Sequence, residues 1–465
     1  PNFEKLKQVL PAFLDEASNH PIFSVADVNL KFNKPELVIE IDRERARTLG
    51  ISVSEIAQTL QLTLSGQRYG YFIKDGKQYQ VIGQLTREMK RRPVSFDTFL
   101  IDYNWDDYFG DWETDPQRFP QGMKAMAAEI RAAGLVPGLW SAPFLIDPRS
   151  KLFKANPGIV VKDRAGKPLV FGWEGEKYIV DPTTPQGEAL LAQIAKKFVS
   201  WGYRYLKFDF LRGMVINDEA VFHDRTMNRA QAYRRAVEIL RKAAGDDVMI
   251  GVWGGLFEAN AGFADINRPG SDVKGHWGSE SDGKRVAVRM RQTFARAFYD
   301  EKLWTSDQDA LMLRRRDTPW KPGTRHLSLG LFNDEEAFSN VVFRFLGGGA
   351  VQVSERLGEL DPDRYDLYKR VLPTYATPAK LIYEWKDYLP EHFATPFAGH
   401  ESLPPWAVVS LCNWNGGAAK KLSFKAADVP GLPKADAYAA VEVKTQKLLG
   451  VFKPGDSSEQ ELAAH

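Results

Sequence analysis

The chain has 465 residues, of which 44% are hydrophobic and 12% aromatic. It is too long for one hydrophobic core and too apolar to be disordered, so we expect two or three globular domains. Its 62 basic and 60 acidic residues leave a formal charge of +2, and the short basic runs at 90–92 and 314–316 form no basic face, which excludes a nucleic-acid partner. The single cysteine, Cys412, excludes an intrachain disulfide and a cysteine-rich metal site.

The first ninety or so residues predict a small α+β unit. Apolar residues at helical spacing indicate a helix over 3–14, and alternating apolar runs indicate strands at 28–32, 37–41 and 78–85. Together these elements predict a unit of the ferredoxin-like kind over residues 1–92.

This unit has a resemblance of its own, which covers roughly residues 3–92. The segment PELVIEIDRERARTLGISVSEIAQTLQLTLSGQRYGYFIKDGKQYQVIGQL, residues 35–85, resembles a periplasmic porter subdomain of the resistance-nodulation-division efflux pumps. The resemblance implies a composite chain whose N-terminal unit contributes nothing to catalysis. Transport is not expected, because no apolar stretch approaches the roughly 20 residues that span a bilayer.

From residue 96 a pattern of helix, glycine and apolar strand recurs. The three clearest repeats place a glycine after each helix, at Gly134, Gly202 and Gly245, and strands at 135–143, 203–210 and 248–253. Shorter strands are predicted at 98–103, 264–267, 303–306 and 350–354. Alternating helices and buried strands predict a parallel sheet.

We therefore predict an α/β fold over residues 96–380, a TIM barrel of the (β/α)8 type in which only about seven strands can be counted, so that the usual first strand is missing. A doubly wound open sheet is the alternative that periodicity leaves open. After residue 381 the helical pattern stops, and strand patterns at 406–414 and 437–452 predict a C-terminal antiparallel β-domain over 381–465.

Residues able to do chemistry gather where the predicted parallel strands end. In a (β/α)8 barrel the active site lies at the C-terminal ends of the strands. The residues found there are Asp102, Trp140, Asp209, Trp253, Arg268, Asp307 and Asp309.

Two aspartates are candidates for a pair of catalytic carboxyl groups, which in a retaining glycosidase lie about 5 to 5.5 Å apart. Asp209 ends the most strand-like segment, and Lys207 two residues earlier points to the same side, where its charge would keep the carboxylate ionised. Asp272 follows Arg268 by four residues in a Pro-Gly loop. The pattern alone also allows Asp209 to cap a turn and Asp272 to be a plain turn residue.

Five motifs together carry a second resemblance. Residues 99–111 and the segments VPGLWSAPF, YRYLKFDFLRG, NRPGSDVKGHW and LWTSDQDALMLR occur in the order seen in family 36 glycoside hydrolases, the melibiases, and the resemblance covers about residues 96–452. It implies that Asp209 is the nucleophile and Asp272 the acid/base.

The same resemblance implies a sugar-binding set around this pair. Lys207, Arg268 and Trp140 match positions that bind the sugar in the −1 subsite, and Asp307 and Asp309 match residues near it, with Asp307 as the second candidate for the acid. Trp105, Asp111 and Trp112 match a loop that closes over the sugar, and Trp253 and Trp277 complete the predicted set. No metal or cofactor is implied, and His276 shows no metal-ligand spacing.

One departure concerns the sugar itself. The family has paired aspartates at the end of the second barrel strand, where they bind O4 and O6 of galactose, whereas this chain has Asp102 and Tyr103. The resemblance therefore does not carry galactose specificity.

The sequence thus predicts a retaining glycoside hydrolase (glycosidase) that cleaves terminal α-galactosides or related α-glycosides, in the manner of an α-galactosidase. Two alternatives stay open: a raffinose-synthase-like transglycosylase using the same aspartates, and a non-catalytic fusion protein that binds through its porter-like segment. The expected partner is an oligosaccharide or glycoside substrate, and an oligomer is compatible with the sequence. The porter-like segment suggests the periplasm, while the lack of a signal pattern at Pro1 and the single thiol fit the cytoplasm.

Overall fold

The computed structural model divides into two compact units, residues 1–65 and 66–465. It describes residues 3–19, 68–74, 77–82, 96–273, 277, 286–315, 332–355, 357, 360–372, 375, 377–399, 404–414, 417–443 and 445–463. In the first unit the described element is helix α1 (Phe3–Asn19), which confirms the predicted helix. The strands predicted at 28–32 and 37–41 lie outside the described residues.

A β-hairpin opens the described part of the second unit. Its strands β1 (Arg68–Lys74) and β2 (Lys77–Ile82) pair antiparallel as a two-stranded sheet. The strand predicted over 78–85 is therefore present and ends at Ile82. The rest of the predicted ferredoxin-like unit lies largely outside the described residues.

The barrel region alternates strands and helices. In chain order the strands are β3 (Thr98–Ile101), β4 (Val136–Ser141), β5 (Leu145–Ile146), β6 (Val170–Gly172), β7 (Glu176–Ile179), β8 (Tyr205–Phe208), β9 (Met249–Val252), β10 (Ile266–Asn267), β11 (Thr305–Leu311) and β12 (Ala350–Val353). The helices are α2 (Gly122–Ala132), α3 (Lys151–Ala155), α4 (Pro185–Trp201), α5 (Arg229–Ala244), α6 (Phe257–Asn260), α7 (Val286–Ala295), α8 (Asp334–Gly347) and α9 (Pro362–Tyr368).

Seven of these strands form one parallel sheet in the order β12-β11-β10-β9-β8-β4-β3. The order follows the chain without a reversal, whereas a doubly wound sheet reverses its strand order at a switch point. The doubly wound alternative is therefore wrong, and the predicted barrel-type fold with about seven countable strands is confirmed. Strands β5, β6 and β7 form a separate antiparallel sheet inserted between β4 and α4.

Local signals in the sequence set the ends of the helices that cover this sheet. Helix α4 begins after Thr184, whose hydroxyl accepts a hydrogen bond from the N–H of Gly187, and it ends at Gly202 in the left-handed conformation with φ 101°. Helix α5 begins with a capping box between Asn228 and Gln231. Both helices bury their apolar faces in the core around β4, β8 and β9.

The C-terminal part is antiparallel, as predicted. Strands β13 (Lys380–Leu381), β14 (His392–Phe397) and β15 (Trp406–Leu411) form a three-stranded sheet. The following pairs are β16 (Lys420–Lys425) with β19 (Ser457–Leu462), and β17 (Tyr438–Glu442) with β18 (Lys447–Phe452). The run predicted as one strand over 437–452 is a hairpin, because the chain turns through Gln446 at φ 58°. No helix in the described ranges is long and apolar enough to cross a membrane.

Candidate active site

Asp209 lies directly after β8, where the ladder with β4 continues for one more residue. Its N–H donates to the carbonyl of Ser141 at 2.8 Å. The carboxylate accepts hydrogen bonds from the indole N–H of Trp140 at 3.1 Å and from the N–H of Phe210 at 2.6 Å. Phe210 adopts a left-handed conformation with φ 55°, which turns the chain sharply after Asp209.

Lys207 is buried on the same side of β8, as the alternation of side chains along a strand requires. Its ammonium group pairs with Asp102 at 2.7 Å and lies 4.9 Å from the centre of the Trp253 ring. Burial disfavours the charge of Lys207, but the Asp102 carboxylate outweighs that effect and raises the pKa of the lysine. The lysine is therefore a fixed cation beside Asp209.

Arg268 gathers three carboxylates at the end of β10. Its guanidinium bonds Asp272 at 2.7 Å, Asp307 at 3.1 Å and Asp309 at 2.7 Å, and it lies 5.5 Å from the centre of the Trp253 ring. Burial disfavours its charge, but the three carboxylates raise the pKa of Arg268. Trp253, itself 1% exposed, thus contacts both Lys207 and Arg268.

The carboxylates around Arg268 differ sharply in exposure. The side chain of Asp272 is 68% exposed, that of Asp309 is 11% exposed and that of Asp307 is fully buried. A group that gives a proton to a substrate oxygen must be within reach of it. Of the two candidates for the acid, Asp272 is the one on the open side of Arg268.

A bulge in β11 gives Asp307 and Asp309 their positions. The register with β12 shifts between Asp307 and Ala310, and Asp309 takes a left-handed conformation with φ 69°. Asp309 accepts hydrogen bonds from the N–H groups of Val273 and Ala310, both at 2.7 Å. Burial disfavours its charge, but Arg268 and Arg289 lower the pKa of Asp309, which keeps its carboxylate ionised.

Two further buried arginines donate hydrogen bonds to backbone carbonyls of the bulged strand. Arg289 donates to the carbonyl of Asp307 at 2.8 Å, and Arg344 donates to the carbonyl of Ala310 at 2.8 Å. Burial lowers the pKa of Arg289 to about 9 and that of Arg344 to about 10. Nothing in the sequence pattern distinguished these arginines from exposed helical ones.

Tyr103 belongs to an aromatic cluster next to Asp209. Its ring centre lies 5.2 Å from that of Trp140 and 4.8 Å from that of Trp173, and its hydroxyl donates to Glu174. Burial, together with the neighbouring Glu174, raises the pKa of Tyr103. Trp173 and Glu174, which the sequence reasoning missed, sit in the turn between β6 and β7 where Gly175 has φ 94°. The segment Gly-Trp-Glu-Gly at 172–175 is the feature of the sequence that could have indicated this turn.

The loop predicted to close over the sugar is held by buried side chains and by backbone hydrogen bonds. Trp105 and Trp112 are fully buried in the core, so neither presents a ring face to a ligand. Asp111 accepts hydrogen bonds from the N–H groups of Lys151 and Leu152 at 2.8 and 2.9 Å, at the start of α3. These three residues stabilise the loop by packing in the core and by hydrogen bonds to the backbone.

Trp277 packs instead toward the C-terminal part, where its ring centre lies 6.2 Å from that of Trp414. His276 lies outside the described residues. In the described ranges no group of three His, Cys, Asp or Glu side chains is arranged to hold a metal ion.

The fold and this carboxylate-rich strand end define the class of a TIM-barrel glycosidase, and comparison with known proteins agrees. The sequence model of the glycosyl hydrolases family 31 TIM-barrel domain matches residues 32–315. The chain belongs to this family, which confirms the predicted class of glycoside hydrolase.

Two curated relatives each match a part of the chain. An α-galactosidase of Escherichia coli is 35% identical over 71 residues, which are 14% of this chain and 10% of that protein. An uncharacterized transporter of Haemophilus influenzae is 26% identical over 147 residues, which are 30% of this chain and 14% of that protein. These matches do not establish the efflux-pump resemblance of residues 1–92, and the family 36 assignment stays a prediction.

Solved structures extend the similarity to the fold. TtGalA, an α-galactosidase from Thermus thermophilus solved with stachyose, is 29% identical with a TM-score of 0.53, covering 63% of this chain and 61% of that one. A GH27 β-L-arabinopyranosidase from Geobacillus stearothermophilus has a TM-score of 0.61 at 15% identity, covering 82% and 88%, which shows the shared fold alone. The chain thus spans 10% of the Escherichia coli α-galactosidase, 14% of the Haemophilus influenzae transporter and 61% of TtGalA.

Proposed function

We propose that this protein is a retaining glycosidase acting on terminal α-galactosides or related α-glycosides, of the type found in family 36. The observation that carries the proposal is that Trp253 contacts both Lys207, which lies on the same strand end as Asp209, and Arg268, which bonds Asp272. Asp209 accepts hydrogen bonds from two N–H groups, as a carboxylate nucleophile requires. Asp272 is held by one bond and is exposed.

In this mechanism the Asp209 carboxylate attacks the anomeric carbon while the glycosidic C–O bond breaks. Asp272 gives its proton to the leaving oxygen, and the glycosyl group remains on Asp209. Water then attacks the same carbon as Asp272 takes back a proton, and Asp209 is released. The bond between Arg268 and Asp272 must lengthen for the acid step, and the exposure of Asp272 permits that movement.

The chemistry is tested by following an aryl α-galactoside with the enzyme by proton NMR. A retaining enzyme forms α-galactose first, and the β-anomer appears later by mutarotation. Formation of the β-anomer first would show inversion and rule out Asp209 as a covalent nucleophile. No turnover of aryl α-galactoside, α-glucoside or β-L-arabinopyranoside would reject the proposal as a whole.

We also propose that residues 1–92 fold apart from the catalytic region at 96–380 and the β-domain at 381–465, which moves the boundary from residue 65, where the two compact units divide, to residue 92. The support is the change of composition and of family resemblance at residues 89–94. Brief trypsin treatment should cut at the basic run at 90–92 and leave glycosidase activity intact. A chain that resists cutting there and melts in one transition contradicts separate folding.

A further inference from the structure

Helix α7 holds the backbone immediately before Asp272 at two points. The N–H of Ser271 donates to Oε1 of Gln292 at 3.0 Å, and the carbonyl of Ser271 accepts from the guanidinium of Arg289 at 2.8 Å. Arg289 and Gln292 lie three residues apart on α7, so their side chains project from one face of the helix. One helix therefore holds both backbone groups of Ser271.

The backbone after Asp272 is held as well. The carboxylate of Asp309 accepts from the N–H of Val273 at 2.7 Å. Arg289 joins the two attachments, because it also donates to the carbonyl of Asp307 at 2.8 Å in the strand that carries Asp309. The side chain of Asp272 is 68% exposed. Asp272 thus combines a backbone fixed on both sides with a carboxyl group that packing leaves room to move.

Gly270 provides the space in which α7 approaches this loop. A Cβ atom at position 270 would lie 1.9 Å from Oε1 of Gln292 and 2.8 Å from Nη1 of Arg289. Non-bonded heavy atoms are most favourably separated by about 3.5–4.0 Å, so a larger residue at position 270 would displace both side chains. The glycine is therefore part of the arrangement that holds Ser271.

We infer that Gln292 and Arg289 are positioning residues, which act through the backbone of Ser271 and set where the Asp272 carboxyl group meets the leaving oxygen. The inference rests on the proposed function, in which Asp272 is the acid. An acid must lie within hydrogen-bond reach of the atom that it protonates. A misplacement of about 1 Å can cost about 10²-fold in rate, so the two hydrogen bonds to Ser271 matter for the acid step.

The test compares melibiose, whose sugar leaving group needs a proton, with p-nitrophenyl α-galactoside, whose phenolate leaves with little help. Gln292→Met keeps the length of the side chain but removes the oxygen that accepts from Ser271. It should lower kcat/KM for melibiose about tenfold and that for the aryl substrate less than about twofold. Gln292→Glu keeps an acceptor oxygen and should retain the wild-type ratio. Gln193→Met, at an exposed position of α4, is the matched control.

Gly270→Ala is a second test, because the added Cβ atom pushes Gln292 away from Ser271. It should cause the same selective loss on melibiose. The loss in the double variant with Gln292→Met should be smaller than the product of the two single losses, because both changes remove one hydrogen bond. Gln292 is used because Arg289 is buried and its loss would also free the carbonyl of Asp307.

The outcomes separate this role from the glycosidase activity. If the wild-type enzyme cleaves both substrates and Gln292→Met lowers both equally, or neither, the positioning role is overturned while the glycosidase stands. Independent, multiplying losses in the double variant also count against it. A wild-type protein that cleaves neither substrate overturns the proposed function and this role together.

Discussion

The indole N–H of Trp140 donates a hydrogen bond of 3.1 Å to Oδ2 of Asp209, so a residue of β4 fixes the carboxylate that follows β8. The Phe210 N–H holds the other oxygen at 2.6 Å. Trp140 is 1% exposed and cannot easily turn away. The direction of the Asp209 carboxylate is therefore set before any substrate binds.

Asp209→Asn should lower kcat on an aryl α-galactoside by at least about 10⁴-fold, because an amide cannot form the glycosyl-enzyme. The fold should persist, since the amide oxygen can still accept from Trp140 or Phe210. Circular dichroism checks the fold, and Asp218→Asn in the exposed loop nearby is the control. Near-normal turnover by the Asn variant would remove Asp209 from the mechanism.

Trp140→Phe should lower kcat by about 10- to 100-fold, because it deletes one hydrogen bond to a charged carboxylate, worth about 1.5–3 kcal/mol. Steady-state kinetics and a melting curve measure the effect. Trp304→Phe, at another buried tryptophan next to β11, controls for general loss of packing. If both variants lose stability and activity in parallel, Trp140 has only a packing role.

Asp272→Ala and Asp307→Ala should behave differently. The Asp272→Ala enzyme should cleave substrates with poor leaving groups slowly, and azide or an aryl substrate should partly restore its activity. Its melting temperature should stay near that of the wild type, because the Asp272 side chain is 68% exposed. Without Asp307 the buried Arg268 loses a partner, which costs about 3–5 kcal/mol of stability. Azide rescue of Asp307→Ala and not of Asp272→Ala would reverse the acid assignment.

The sequence predicted the strands well and the side-chain environments less well. Glycines after helices and apolar runs located β4, β8 and β9, because these signals are local. Whether Trp105 and Trp112 face solvent depends on packing with residues far along the chain, and motif matching carries no such information. A cavity lined by Asp106 and Glu174 likewise joins two loops about 70 positions apart.

Tyr103→Asp should raise the kcat/KM ratio of α-galactoside to α-glucoside by about one to two orders of magnitude. A carboxylate accepting a sugar hydroxyl is worth about 1.5–3 kcal/mol, and the phenol of Tyr103 is already engaged with Glu174. Tyr103→Phe is the control, since it removes the Glu174 bond without adding a carboxylate. Unchanged ratios among galactoside, glucoside and β-L-arabinopyranoside would show that Tyr103 does not face the sugar.

Asp106→Asn should stabilise the protein more at pH 8 than at pH 4. The unfolded chain releases this proton near pH 3.8, but burial in the folded protein raises the pKa to about 7. Folding therefore binds a proton between these values, and the contribution of Asp106 to stability falls as the pH rises from about 4 to about 7, by about 1.4 kcal/mol per pKa unit. Melting curves across this range, with Asp107→Asn as control, measure it, and a pH-independent difference contradicts it.

The left-handed conformation of Asp309 limits how this enzyme can change during evolution. The position demands a backbone geometry that asparagine or glycine also tolerates, yet only a carboxylate can bond Arg268 and Val273 together at low cost. A substitution there either disfavours the left-handed backbone conformation or removes the negative charge that pairs with Arg268. New sugar preferences should therefore arise by exchanges in the loops around Tyr103 and Glu174, while residues 307–309 stay the same.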